Sequence, residues 1–557
     1  MEFNIRLCGE AGQGLQTIGK ILLDGLARQG WELFAHQEYE SIIRGGNSYF
    51  QVALSDKPLT CHVAQPDLLV AMSAQSWQQF SPDLAADGVG IHPGPQNDGE
   101  GLVLDASAMA AEHGSAKMAS AVVAGIVWSV VGAPLEGLEQ QLAEVFASLG
   151  QEMIENNKKA AAAGYDWAEQ KELNRKLSAP RSPRPRMLLR GNDAVALGAM
   201  AAGLKFISAY PMTPATSIVE FIAAQAADAG IRVEQAEDEI AAINMALGAG
   251  YAGVRAMTAT SGGGFALMVE ALSLAGSAEV PVVVVNGQRP GPSTGMPTRT
   301  EQGDLLFVLH GGHGDFPRAV LAPGSVEEAF YLMPHAFNLA EKYQTPVIVL
   351  TDQYLADCFV TVEPLDTGNI AIDRGKEGKP TADYRRYKIT EDGISPLVRP
   401  GSEPAVVVAA GDEHDEEGHL TEDGATRVAM MDKRMTKAKG LEAEALEPVA
   451  VGSKSAQLVL LTWGSTWGVV RRAVEELNGK GVAVRALHLP QLWPLPKEKL
   501  IEELGDAAFY TVENNYAGQL ARLLAMEGMA AKGSITRYDG RQLDVPRVIQ
   551  AVEEVLK

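Results

Sequence analysis

The chain has 557 residues, 46% hydrophobic and 6% aromatic, which exceeds what one core usually organises and implies roughly three or four domains. Its 70 acidic and 47 basic side chains leave a formal net charge of −23, which argues against a nucleic-acid partner, because phosphate binding needs clustered lysine and arginine. The cysteines, Cys8, Cys61 and Cys358, are scattered with no C-x-x-C spacing, so they cannot supply the four thiolates of an iron–sulfur or structural zinc site, and they point to a reducing, cytoplasmic setting.

Abundant Ala, Gly and Val suit layered α/β structure, in which small residues let helices approach a parallel sheet. The opening segment, MEFNIRLCGEAGQG, lacks the basic and long apolar regions of a signal peptide. FNIRLCG reads as a strand that runs through the glycine turn GEAGQG into an amphipathic helix, QTIGKILLDGLARQG. DLLVAM (67–72) and GLVLDA (101–106) read as further buried strands. The most apolar run, MASAVVAGIVWSVVGA (118–133), is too short and too rich in serine to span a membrane, so a buried helix and no membrane partner are expected. Residues 1–175 thus form a first α/β domain.

KLSAPRSPRPRM (176–187) carries three prolines within 180–185 and reads as a linker. From 188 to 365, the short β-rich runs VRAMTAT, PVVVVNG, RAVLAP and PVIVLTD alternate with helical stretches, which predicts a doubly wound parallel sheet. Residues 366–455 have weak periodicity and many charges, and read as an extended connection. A last α/β unit, 456–557, begins at AQLVLLTWGSTWG.

Three segments of the central unit carry the chemistry. In EQAEDEIAAINMALGAGYAG (234–253), Glu239 opens a helix of small residues, where a carboxylic acid in apolar surroundings can share a proton instead of surrendering it to water. Glu234, Glu237 and Asp238 compete for that role, and all four carboxylates would also favour a helix N-terminus without any further function. In AYPMTPATSIVEF (209–221), two prolines hold the backbone around Thr213 so that its hydroxyl can face a ligand, while Thr216 or Ser217 is the expected helix cap. In QRPGPSTGMPTRTEQGDL (288–305), Arg289 follows a buried strand, where a guanidinium can grip a carboxylate, with Arg299 as the rival cation.

Together these segments resemble the α chain of the thiamine-diphosphate-dependent 2-oxoacid:ferredoxin oxidoreductases, with Met212 in place of the usual isoleucine of Tyr-Pro-Ile-Thr-Pro. The resemblance extends over nearly the whole chain. It implies a γ-type domain ahead of a thiamine-diphosphate pyrimidine-binding-type domain and a transketolase C-terminal-like domain. It also implies that Glu239 activates the cofactor, that Tyr210 and Pro211 help to bind it, and that Thr213 and Arg289 face the oxoacid, with Thr298 lining the pocket for the rest of the substrate. A polar Thr298 and the fused domain order favour 2-oxoglutarate, converted with coenzyme A and oxidised ferredoxin to succinyl-CoA, carbon dioxide and reduced ferredoxin. The reverse direction fixes carbon dioxide. Pyruvate and branched-chain oxoacids are the alternatives, and a noncatalytic α-like scaffold or a transketolase-like half-enzyme are the rivals from other classes.

The sequence has no Gly-Asp-Gly followed by the asparagine that holds magnesium and diphosphate in thiamine enzymes. With the cysteine count, this implies a β subunit carrying the diphosphate site, Mg2+ and a [4Fe-4S] cluster, and an assembly of two α–β heterodimers. In relatives the γ domain helps to bind coenzyme A, which implies contacts from Gly12, Gly14 and Arg44. No metal ligand is assigned to this chain: GDEHDEEGHLTED (411–423) reads as an acidic turn. WGSTWG (463–468) and ENNYAGQ (513–519) also resemble family features, with no chemical role assigned.

Overall fold

The computed structural model describes residues 1–40, 45–94, 101–175, 177 and 186–557. Most of the proline-rich 176–187 segment, and Arg44, lie outside them. Two compact units result, one comprising Met1–Leu189 with Cys358–Pro364, the other Arg190–Asp357 with Leu365–Lys557.

The first unit is built on a mixed sheet. Strand Glu2–Ala11 lies between Leu68–Ala71, to which it is parallel, and Gly45–Ser55, to which it is antiparallel. The short strand Phe359–Val362, which the sequence reading assigned to the central unit, pairs antiparallel with Glu32–Glu38. Such a return is set by a distant partner and leaves no local signal. The apolar run forms helix Ala119–Val131, buried along its whole length. It meets helix Gln151–Gln170 at glycines: a Cβ at Gly125 would lie 1.9 Å from the Ala161 carbonyl oxygen, and one at Gly164 would lie 2.1 Å from that of Val122. Only a bare Cα permits backbones this close. No helix among the described residues is long and apolar enough to cross a membrane.

The second unit holds two α/β sheets. The larger has the order Gln491–Trp493, Ala319–Leu321, Pro346–Asp352, Val282–Gln288, Ala256–Thr260, Phe206–Ala209, Arg232–Gln235. All its pairings are parallel except the one made by Gln491–Trp493. Valine-rich central strands such as Val282–Gln288 are buried throughout, as a sheet covered on both faces requires. The smaller sheet centres on Leu458–Trp463, flanked by the parallel strands Val484–Leu489 and Ala508–Glu513. The edge strand Val449–Val451, which the sequence reading placed in the connection, pairs antiparallel with Val484–Leu489. Residues 366–448 contain one long helix, Gly424–Ala443, and are otherwise turns and isolated bridges.

Candidate active site

The strand order of the larger sheet locates the site. Strand Phe206–Ala209 has Arg232–Gln235 on one side and Ala256–Thr260 on the other, so the connections leaving the carboxyl ends diverge there. Such a switch point opens a crevice in which α/β folds bind ligands. The segments after these strands carry Tyr210–Pro214, Glu239 and the glycines 262–264, and Arg289 follows the neighbouring strand Val282–Gln288.

The four competing carboxylates separate by environment. Glu234 pairs with Arg232 at 3.3 Å, and Glu237 is exposed. Asp238 is the helix cap, accepting from the Ala241 amide at 2.8 Å. Glu239 turns inward, is 3% exposed, and has an Oε1 without a hydrogen-bond partner. It approaches the start of helix Gly262–Ser277, where a Cβ on Gly264 would sit 2.6 Å from that oxygen and 2.2 Å from Thr260 Oγ1. Glycine is what lets the carboxylate come so near.

Thr213 and Arg289 meet directly: Arg289 Nη1 donates to the Thr213 carbonyl at 2.7 Å. The Thr213–Pro214 peptide is cis, and Asn192 Nδ2 donates to the Pro214 carbonyl at 2.8 Å. The expected caps do not form. Helix Thr216–Ala229 has no side-chain cap, because Ala215 occupies the cap position and Thr216 and Ser217 already lie within the helix, where Ser217 Oγ accepts from Asn192 at 2.8 Å. Tyr210, 41% exposed, stands at the end of its strand, beside an exposed Pro211. Thr298 is half-buried in a turn closed by the Arg299 amide on the Met296 carbonyl at 3.1 Å. The rival Arg299 packs toward Gly540, where an added Cβ would lie 3.2 Å from the Arg299 Cβ.

Sequence reading missed the anionic wall of the site. Asp304 Oδ2 accepts from the buried Asn286 at 3.1 Å and would lie 2.5 Å from a Cβ on Gly262. Burial raises the Asp304 carboxyl above its ordinary range, against the pull of Asn286 and Arg289. Burial likewise lowers the Arg289 guanidinium, which Asp304 partly restores. Glu301 is pushed up to about 7, by burial and then by the Asp304 charge. The available signal was the polar run TEQGDL (300–305), at the far end of the loop that follows a buried strand, but its carboxylates are too far from Arg289 in sequence for periodicity to relate them.

In the first unit, Gly12 and Gly14 both have positive φ, 91° and 81°, and Gly14 precedes helix Leu15–Arg28. The acidic turn holds itself: Asp415 Oδ1 accepts from the Glu417 and His419 amides at 2.9 Å each. Asp415, Glu417 and His419 place ligand-type atoms within 4.8 Å of one another, but Glu417 and His419 are exposed.

Residues 197–433 match the family described as pyruvate flavodoxin/ferredoxin oxidoreductase, thiamine diphosphate-binding, and residues 4–167 match pyruvate ferredoxin/flavodoxin oxidoreductase. The α subunit of 2-oxoacid:ferredoxin oxidoreductase 2 from Aeropyrum pernix is 35% identical, over 100% of this chain and 98% of its own. The 2-oxoglutarate oxidoreductase subunit KorA of Mycobacterium tuberculosis is 30% identical, over 96% of this chain and 89% of its own. The 2-oxoglutarate:ferredoxin oxidoreductase from Magnetococcus marinus, solved with 2-oxoglutarate, coenzyme A and succinyl-CoA, superposes with a TM-score of 0.94 at 33% identity, covering all of both chains. With identity at this level from end to end, the chain belongs to the α subunits of the 2-oxoacid:ferredoxin oxidoreductases.

Proposed function

We propose that the chain acts on 2-oxoglutarate, interconverting it, coenzyme A and oxidised ferredoxin with succinyl-CoA, carbon dioxide and reduced ferredoxin. The observation that carries this reading is the unpartnered Oε1 of the buried Glu239, beside the Gly264 gap. A buried carboxyl oxygen without a partner costs stability unless a ligand satisfies it. It fits the protonatable N1′ of thiamine diphosphate, which when bound supplies the carbon nucleophile that releases the oxoacid's carboxylate as carbon dioxide.

Glu239 shares a proton at N1′. Tyr210 and Pro211 border the cofactor, and Arg289 holds the oxoacid carboxylate. Its contact with the Thr213 carbonyl uses one of five guanidinium N–H donors and orients the others. Thr213 faces the reacting carbon, and Thr298 faces the distal carboxylate. 2-Oxoglutarate is favoured over other oxoacids because the Magnetococcus and Mycobacterium relatives carry it in their names, whereas the Aeropyrum relative is named for 2-oxoacids in general. The same reaction on pyruvate or a branched-chain oxoacid is the second reading, supported by that broader name.

A β subunit contributes Mg2+, the diphosphate site and a [4Fe-4S] cluster, in a dimer of α–β heterodimers that works in the cytoplasm. Coenzyme A is bound in part by the Gly12 and Gly14 turn together with Arg44. The complex with its native partner is assayed for ferredoxin or viologen reduction with coenzyme A and either 2-oxoglutarate, pyruvate or 2-oxoisovalerate. Strong preference for 2-oxoglutarate is expected. Preference for another oxoacid rejects the role of Thr298, and no reduction with any of them rejects the reaction. Glu239→Gln is expected to slow turnover by about 10²- to 10⁴-fold; an unaltered rate would falsify its cofactor role.

A further inference from the structure

The loop from Arg289 to Asp304 carries the substrate-facing side chains yet contains no helix or strand. Inside it, only two turn bonds among the described residues tie backbone to backbone, from the Met296 amide to the Pro290 carbonyl and from the Arg299 amide to the Met296 carbonyl, each at 3.1 Å. The rest of its support comes from outside: Thr300 is held by the Gly540 carbonyl and Asp352, and Gln302 by the most complete set of bonds.

Gln302 is 0% exposed, and each of its polar groups is bound by the C-terminal domain. Its amide donates to the Asn514 carbonyl at 2.7 Å, and its Oε1 accepts from the Asn514 amide at 2.9 Å, so the side chain completes a strand-like reciprocal pair. Its Nε2 donates to the Trp463 carbonyl at 2.8 Å, and its own carbonyl accepts from Asn515 Nδ2 at 3.0 Å. Asn515 is itself fixed, donating to Glu513 Oε2 at 2.9 Å and accepting from the Gly518 amide at 2.8 Å. A second anchor lies beside it: Gln519 donates to the Gly303 carbonyl at 2.6 Å and accepts from the Leu306 amide at 2.9 Å. Gly464 stays bare because a Cβ there would lie 2.7 Å from Gln302 Nε2.

We infer that WGSTWG and ENNYAGQ form a clamp by which the C-terminal domain positions the oxoacid-binding loop, with Gln302 as the positioning residue. The inference rests on the reading that this loop faces the oxoacid. Gln302 lies between Glu301 and Asp304, so a shift of its backbone moves the anionic wall against Arg289 and moves Thr298 with it. Binding groups tolerate displacements of only about half an ångström before affinity and rate fall. The clamp makes no covalent or proton-transfer step of its own.

The test uses the reconstituted complex with Gln302→Leu, which keeps the volume and removes both side-chain bonds, and with Gln519→Leu, a milder cut at the other anchor should the first fail to fold. Each is expected to raise KM for the preferred oxoacid by about tenfold, which corresponds to about 1.4 kcal/mol, with less effect on kcat and none on KM for coenzyme A. Oxoacid affinity by calorimetry should weaken in parallel. A merely structural role predicts a lower melting temperature with both KM values and kcat degraded alike, or no kinetic change. Either result overturns the clamp. If the unmodified complex turned over no oxoacid, the proposed reaction would fall, whereas calorimetry with the same variants would still decide the clamp: equal oxoacid affinity in variant and parent rejects it.

Discussion

Two buried glutamates in the second unit show how environment separates function from structure. Glu279 is wholly enclosed but neutralised, with Lys433 Nζ at 2.5 Å and Lys437 Nζ at 2.8 Å. Glu239 is equally enclosed, yet one of its oxygens meets no donor, and a bare glycine stands where a side chain would block it. Other buried atoms, such as Asn192 Oδ1 and Asn286 Oδ1, also lack a partner, so it is the combination with the Gly264 gap that sets Glu239 apart. Filling the gap tests the point. In Gly264→Ala the new methyl must displace Thr260 or Glu239, and overpacking of this kind costs about 1–3 kcal/mol. The variant complex is expected to need a higher thiamine diphosphate concentration for half-maximal activity. An activation curve superimposable on that of the parent would mean that Glu239 does not need its present position.

At the scale of elements, the same buried glutamate explains how the irregular 366–448 stretch is held. Lys433 and Lys437 stand one helical turn apart on one face of helix Gly424–Ala443, and both reach Glu279, just beyond helix Gly262–Ser277. Arg386 adds a bond from Nη2 to the Glu279 carbonyl at 2.7 Å. Burial opposes ionisation of Glu279, but Lys437, Lys433 and Arg386 outweigh it and hold its carboxyl at about 2, against an ordinary 4.5. A carboxylate whose folded value is lowered stabilises the fold fully above its unfolded value, and that contribution fades as pH falls from 4.5 toward about 2. Glu279→Gln leaves two buried ammonium groups without a counter-charge, and removing one partner of such a set costs about 3–5 kcal/mol. Denaturant titration at neutral pH should show that loss, and the gap from the parent should narrow as the medium is acidified below pH 4.5. A gap independent of pH would mean that the charge is not what fastens the helix.

For the molecule as a whole, the decisive number is three cysteines, all buried. Burial pushes the Cys8 thiol up to about 12, against the smaller opposing pull of Arg6, so it is held as a thiol, the wrong form for a metal ligand. Three buried cysteines do not amount to the four-thiolate set that an iron–sulfur cluster takes. The purified chain by itself is expected to contain no stoichiometric iron and to reduce neither ferredoxin nor viologen. Adding the β partner should restore both. Reduction by the isolated chain would show that the electron path does not need the partner.

Sequence alone decided the composition of the layers, the absence of a cluster-binding cysteine set, and the family, because parallel strands, small-residue helices and the Tyr-Pro-Met-Thr-Pro, Glu239 and Arg289 motifs are local patterns. It also singled out WGSTWG and ENNYAGQ without finding what they do. Tertiary structure decided everything that depends on residues far apart in the chain. Among four neighbouring carboxylates it buried Glu239, capped the helix with Asp238, paired Glu234 with Arg232 and exposed Glu237, an arrangement that depends on the opposite helix. It returned Phe359–Val362 to the first sheet, set Asp304 beside Asn286, and joined Gln302 to Asn514. Hydrogen bonds and desolvation act through space over a few ångströms, whereas sequence periodicity records only neighbours along the chain, so the motifs were legible and their geometry was not.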